Sequence, residues 1–200
     1  MEISNIKMTG NVSENTLQAS TLEAKGSNEI SFWRRSKNNL VSIDEGFVCN
    51  NLKIVFKGDN NKLIIGANVR WTGHILIVGN NRTITIGDRT TAQGVYILSR
   101  DEDVEIGSDC MFSREIEIRS TDVHKIYDLD TGERINPAKK VLIGENVWIG
   151  ARVIVSKGAD IPNGCVIGAS SFVNKKFETC NAIIAGTPAK VVKTNIRWER

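Results

Sequence analysis

Histidine and proline are scarce in this chain: among 200 residues there are two of the first, His74 and His124, and three of the second, Pro137, Pro162 and Pro188. Two histidines cannot furnish a three-histidine catalytic zinc site from one chain. The four cysteines, Cys49, Cys110, Cys165 and Cys180, form no CxxC pair, which excludes a zinc knuckle or a dithiol redox motif, and no metal is expected. No apolar run approaches the ~18 residues of a membrane-spanning helix. Nothing in the first 30 residues resembles a signal peptide, so a cytoplasmic, reduced protein is expected. Charge of one sign is lacking too. The 26 basic and 23 acidic side chains leave a net +3, too little to argue for nucleic acid as a partner.

What the sequence has instead is a period. From Ile143 it reads IGENVW IGARVI VSKGAD IPNGCV IGASSF VNKKFE, with Ile or Val at every sixth residue: Ile143, Ile149, Val155, Ile161, Ile167 and Val173. These two residue types make up 42 of the 200 residues. Six hits in six would therefore arise by chance roughly once in ten thousand. A six-residue repeat matches neither the 3.6 of a helix nor the alternation of an ordinary strand. It matches a short strand followed by a two-residue corner. Three such units make one triangular coil, and identical positions then stack at strand spacing, about 4.8 Å apart. The interior becomes columns of Ile and Val, each contributing about 1.5–3 kcal/mol on full burial. The fifth position of each hexad is smaller (Val147, Val153, Ala159, Cys165, Ser171) until Phe177 breaks the rule.

Three upstream segments share the pattern more loosely: KIVFKGDNNKLIIGAN, HILIVGNNRTITIGDR and VYILSRDEDVEIGSDC, with Ile-Gly pairs at Ile65, Ile86 and Ile106. The Asn-rich turns of the first two, Asp59-Asn60-Asn61 and Asn80-Asn81, tolerate the left-handed backbone of tight corners. Cys110 and Cys165 occupy equivalent small positions and read as core spacers rather than nucleophiles. The expected fold is all-β, a parallel β-helix over 41–187. It is preceded by an N-terminal arm or irregular first coil at 1–40 and followed at 188–200 by a C-terminal helix (Ala189–Lys193) and tail.

From Ile118 to Ile143 the chain spends 25 residues, about seven more than one coil, and the excess falls in a polar excursion loop around 125–140. Loops that leave a rigid repeat are where function concentrates. His124 stands at its mouth; the pattern alone leaves it a surface histidine, with Asp122 a weak candidate to orient it. His74, in RWTGHIL, reads as structural or as facing an acceptor. Trp148 is the sixth residue of its hexad, a corner position that would be exposed in a lone protomer unless a ligand or neighbour covered it.

With SREIEIRSTDVHKIYD, RINPAKKVLIGENVWIG and IIAGTPAKVVK in view, the sequence resembles the hexapeptide-repeat acetyltransferases from about residue 50 onward. The 24-residue spacing of His124 and Trp148, with RIN-PAK between, is most similar to bacterial enzymes that O-acetylate capsular sialic acid or polysialic acid. The resemblance implies a left-handed β-helix, a homotrimer with active sites between subunits, and acetyl-CoA as donor. It implies His124 as general base, deprotonating a sugar hydroxyl that attacks the thioester directly. Trp148 would lie in the cleft. Ala151 and Ala169 would line the CoA groove, and Asn174, Lys175, Lys190 and Lys193 would hold its nucleotide end, where lysines suit phosphates as point charges. The expected activity is O-acetylation of a surface-polysaccharide saccharide acceptor, a capsular sialic acid or polysialic acid or a lipopolysaccharide sugar. The alternatives are N-acetylation of a nucleotide-linked amino sugar and a β-helix binding module without catalysis.

Overall fold

The structure, a computed structural model, describes residues 5–200. It is a left-handed parallel β-helix of about eight coils. The first face of the prism begins at Leu22–Lys25 and ends with Met111–Phe112, Trp148–Ile149, Val166–Ile167 and Ile183–Gly186. The second begins at Ile6–Gly10 and Asn28–Phe32 and ends with Ile116–Arg119, Ile154–Val155 and Phe172–Val173. Between these, three long strands, Phe47–Lys57, Arg70–Val78 and Thr91–Arg100, bend and serve both faces. Seven strands from Thr16–Ala19 to Asp160–Ile161 form the third face. Residues 6–32 thus enter the same parallel ladders as the rest of the chain.

The hexads do what their period demands. Ile143, Ile149, Val155, Ile161, Ile167 and Val173 are all buried, as are Val147, Val153, Ala159, Cys165 and Ser171 in the smaller position. Along the first face the register stacks Cys49, Trp71, Ala92, Phe112, Ile149, Ile167 and Ile184 in one column. Small residues there make room for large ones: Trp71 and Phe112, on either side of Ala92, meet edge to face at 6.1 Å. Complementary sizes at stacked positions give the dense packing of a protein interior. Burial pushes the Cys49 and Cys110 thiols up to about 11 and raises Cys165 too, which makes all three inert spacers.

The edges are built differently. Where the long strands bend, Gly73 has φ +146°, and a Cβ there would meet the Val95 carbonyl oxygen at 2.1 Å, so only glycine fits. Along the edge between the second and third faces, asparagine side chains form a ladder. The amide N–H of Asn39 donates to Asn15 Oδ1 (2.9 Å), that of Asn61 to Asn39 Oδ1 (2.9 Å), and that of Arg82 to Asn61 Oδ1 (2.8 Å). Asn61 Nδ2 also donates to the Gly79 carbonyl at 2.9 Å. Asn61 is fully buried, so Asn61→Ala strands polar backbone that water cannot reach. A loss of about 1–3 kcal/mol is expected. At ~2–4 °C per kcal/mol for a chain of this size, thermal denaturation would register a fall of several degrees, and an unchanged midpoint would contradict the ladder.

One expected element is corrected. Ala189–Lys193 is not a helix but a strand, antiparallel to Ile183–Gly186. Five residues are too few for a helix that nothing else supports, and Val191 and Val192 favour extended backbone. The chain turns at Gly186, whose φ is +111°. Ser171, the small fifth residue of its hexad, fixes that turn: its Oγ accepts from Gly186 N–H (3.0 Å) and donates to the Gly168 carbonyl (2.6 Å).

Candidate active site

The excursion loop leaves the prism at the edge between the second and third faces, after Ile116–Arg119 and before Val141–Ile143. It is a small hairpin rather than a loose loop. Ile135 N–H donates to the Ile126 carbonyl (2.9 Å) and Asp128 N–H to the Glu133 carbonyl (2.9 Å). At its tip the Asp128 carboxylate accepts from the Thr131 and Asp130 amides, which hold its pKa below the usual range.

His124 sits at the base of this hairpin, exposed. Its own amide donates to the Asp122 carbonyl at 2.8 Å, closing a γ-turn centred on Val123, whose φ is +70°. That turn is rare and strained, more so for a β-branched residue, and costs about 1–3 kcal/mol. Asn136 holds it in place. Buried, it donates from Nδ2 to the His124 carbonyl (2.8 Å) and to Asp122 Oδ2 (3.0 Å), while its Oδ1 accepts from Ile126 N–H (2.7 Å). Lys157, on the coil beneath, donates to the same Asp122 oxygen, and this partner holds the Asp122 carboxyl below the usual carboxylate range. The Asp122 carboxylate is therefore engaged by Lys157 and Asn136, and among the described residues no hydrogen bond reaches the His124 ring. Asp122 fixes the backbone that carries the imidazole.

Trp148 lies on the first face, across the prism from the edge that carries His124. The two do not meet within one chain. Trp148 is 39% exposed, and part of its cover comes from an unexpected source. The C-terminal tail runs back along the first face and sets Trp198 beside it, centroids 6.0 Å apart, with Trp198 Nε1 donating to the Asn146 carbonyl (2.9 Å). Arg200 continues this path, donating to the carbonyls of Arg89 and Cys110.

The residues expected along the CoA groove divide in two. Ala151 and Ala169 stack at the edge between the first and second faces, where Ser170 N–H donates to the Ala151 carbonyl (2.9 Å). The approach is close enough that a Cβ on Gly150 would lie 2.8 Å from Ala169 N, and one on Gly168 2.8 Å from Ala185 Cβ. This leaves a rail of small residues. Lys190 pairs with Ala185 at its end and Lys193 with Ile183, both exposed. Asn174 and Lys175 follow Phe172–Val173 and lie on the edge that carries the hairpin, one coil from Lys157. His74, part-buried on the second face, packs against Tyr96 at 5.3 Å and lies apart from both groups. Burial, with Lys53 and Lys57 nearby, lowers its pKa.

A family model for bacterial transferase hexapeptides, six repeats long, matches residues 140–175. The polysialic acid O-acetyltransferase of Neisseria meningitidis is 38% identical over 186 residues, covering 82% of this chain and 86% of that enzyme. The chain belongs to the hexapeptide-repeat acetyltransferases. Two solved structures match this acetyltransferase over 98% of its length. The polySia-specific acetyltransferase NeuO superposes with a TM-score of 0.87 at 32% identity, 83% of that chain being covered. The polysialic acid O-acetyltransferase OatWY gives 0.86 at 34% identity and 91%. Asn136, Val123 and Trp198 adjoin the candidate residues His124 and Trp148, and pattern reading did not single them out.

Proposed function

We propose that this acetyltransferase moves the acetyl group of acetyl-CoA to a hydroxyl of an acidic capsular polysaccharide of the polysialic acid class, in the cytoplasm, with His124 as general base. A sugar hydroxyl is too weakly acidic to attack a thioester unaided near neutral pH. The His124 imidazole takes the proton as the hydroxyl oxygen attacks the carbonyl carbon, and returns it to the thiolate that leaves. No covalent acyl-enzyme is needed. The three buried cysteines are inert, and the chemistry is a single transfer.

The observation that carries this reading is the clamped hairpin, which presents His124 outward at a fixed point in a chain so similar to enzymes of that name. The site is completed by a second copy of the chain within a trimer. His124 and Trp148 face away from each other in one protomer, so the Trp148 of a neighbour comes to the His124 of this one. The hairpin's apolar side chains support that packing: Leu129 is fully exposed, Ile135 60%, Ile126 53% and Tyr127 51%, a surface suited to burial against a partner. The small-residue rail at Ala151 and Ala169 admits a pantetheine arm, and Lys190, Lys193, Asn174 and Lys175 supply charge and hydrogen bonds for its nucleotide end.

The test is incubation with acetyl-labelled acetyl-CoA and a panel of polymeric and monomeric sugars, followed by NMR of the products. An O-acetyl ester on polysialic acid is expected. An amide on a nucleotide-linked amino sugar, or no transfer to any acceptor, would overturn the reading.

A further inference from the structure

A second feature lies on the edge that carries His124, four coils nearer the N-terminus. The corners of that edge are formed in turn by residues 33–39, 57–61, 79–82, 100–103 and the hairpin at 120–140. At ~4.8 Å per coil, the first lies about 19 Å from the last along the axis. A groove of about 790 Å³ opens at the first three, walled by Trp33, Arg34, Arg35, Lys57, Asp59 and Asn80.

The groove is built in advance of any ligand. Trp33 N–H donates to the Phe56 carbonyl (3.1 Å), Ser36 N–H closes the turn on the Trp33 carbonyl (2.8 Å), and the buried Ser36 Oγ accepts from Gly58 N–H (3.2 Å). Beneath it, Phe32 and Phe56 stack at 5.1 Å. The Trp33 indole is thereby held outward, 55% exposed, with Lys57 Nζ 4.2 Å from the ring centroid. The exposed indole offers a flat apolar face to a ligand beside a cation.

The charges point the same way. Farther along the edge, Arg82 pairs with Asp103 and Arg100 with Asp101. Among the described residues, Arg34, Arg35 and Lys57 have no carboxylate partner. Asp59 also faces the groove, its Oδ1 accepting from Lys37 N–H (3.0 Å), and against its single negative charge the three cations leave the groove net positive. An aromatic plate flanked by two guanidinium groups and an ammonium suits a sugar ring bearing a carboxylate: the ring's C–H face lies on the indole and the carboxylate meets an arginine fork.

We propose that this groove is a distal subsite for the anionic polysaccharide, holding one acidic sugar of the polymer while another, farther along the same edge, reaches His124. The inference rests on the proposed function for its choice of acceptor. It adds a grip outside the reacting centre, which favours long acceptors over short ones. The double variant Arg34→Gln/Arg35→Gln and the single variant Trp33→Ala alter exposed side chains and leave the coil intact, which circular dichroism would check.

For the double variant, the KM for polysialic acid is expected to rise about tenfold, with KM for acetyl-CoA and turnover on a sialic acid monomer unchanged. Binding of a sialic acid oligomer, measured calorimetrically without acetyl-CoA, is expected to weaken in parallel and to be salt-sensitive in the parent protein. If the parent acetylates the polymer and the variants match its KM, the groove assignment falls while the proposed function stands. If the parent binds the oligomer through Arg34 and Arg35 but transfers no acetyl group, the subsite stands and the proposed function falls. Equal losses on monomer and polymer, or no binding by the parent, would also overturn the subsite.

Discussion

Replacing His124 with alanine is expected to lower kcat for acetyl transfer by ~10²–10⁴-fold, the range that a positioned general base contributes. The side chain is exposed and hydrogen-bonds to nothing else among the described residues, so the fold should be untouched. The hairpin is held through the His124 backbone, its carbonyl and its amide, and alanine supplies both. His124→Asn keeps the polarity and approximate size but removes the basic nitrogen, and should be as impaired. Steady-state rates with acetyl-CoA and acceptor, alongside melting curves for both variants, make the check. Turnover near that of the parent in either variant would remove the imidazole from the reaction.

Asn136→Ala is expected to have the second largest effect, a fall in kcat of roughly 100-fold with KM for acetyl-CoA little changed. The reasoning concerns placement rather than chemistry. Three hydrogen bonds from Asn136 tie together the two ends of the hairpin and hold Val123 at φ +70°. Without them the strained turn relaxes, and His124, the next residue, moves with it. A displacement of ~1 Å at a reacting group costs about 100-fold in rate. Because Asn136 lies outside the stack of Ile and Val columns, the prism keeps its core. A structural role alone would lower the melting point and leave kcat per folded molecule intact. Equal kcat in the variant would therefore show that His124 is positioned by something else.

How far the sequence reached differs by element. The six hexads from Ile143 were legible because each column residue meets its own kind one coil away, so that the period is the packing rule itself. The asparagine corners were legible for a similar reason: Asn60 and Asn81 stand at φ +57° and +58°, as tight turns require. The excursion was visible as surplus chain between Ile118 and Ile143 with His124 at its mouth, but the pattern left that residue a surface histidine and only the resemblance implied a role for it. The first 40 residues were harder to read. Strands such as Thr16–Ala19 and Leu22–Lys25 are only half-buried, with residues such as Gln18 and Glu23 interleaved, so the apolar signal is thin.

The misses have a common physical origin. Asn136 acts on Asp122 and His124 through hydrogen bonds that span 14 and 12 residues, and Trp198 reaches Asn146 across 52. No local spacing encodes either. The RIN-PAK stretch marked the neighbourhood of Asn136, but not that its amide would be buried. Ala189–Lys193 was misread because a proline before a short run of mixed polarity looks the same whether it opens a helix or follows a turn. What decided the matter was the unpaired side of Ile183–Gly186, available only once the coils are stacked.

That last strand has a bearing on how the molecule behaves in a crowded solution. A solenoid is open at both ends, and a terminal strand with free amides and carbonyls is a template on which another chain can add, end upon end, into a fibre. By doubling back, Ala189–Lys193 occupies that template on the first face with a strand of opposite sense, carrying Lys190 and Lys193 outward. The edge that remains on this face is antiparallel and carries lysines, which disfavours addition of a further parallel coil there.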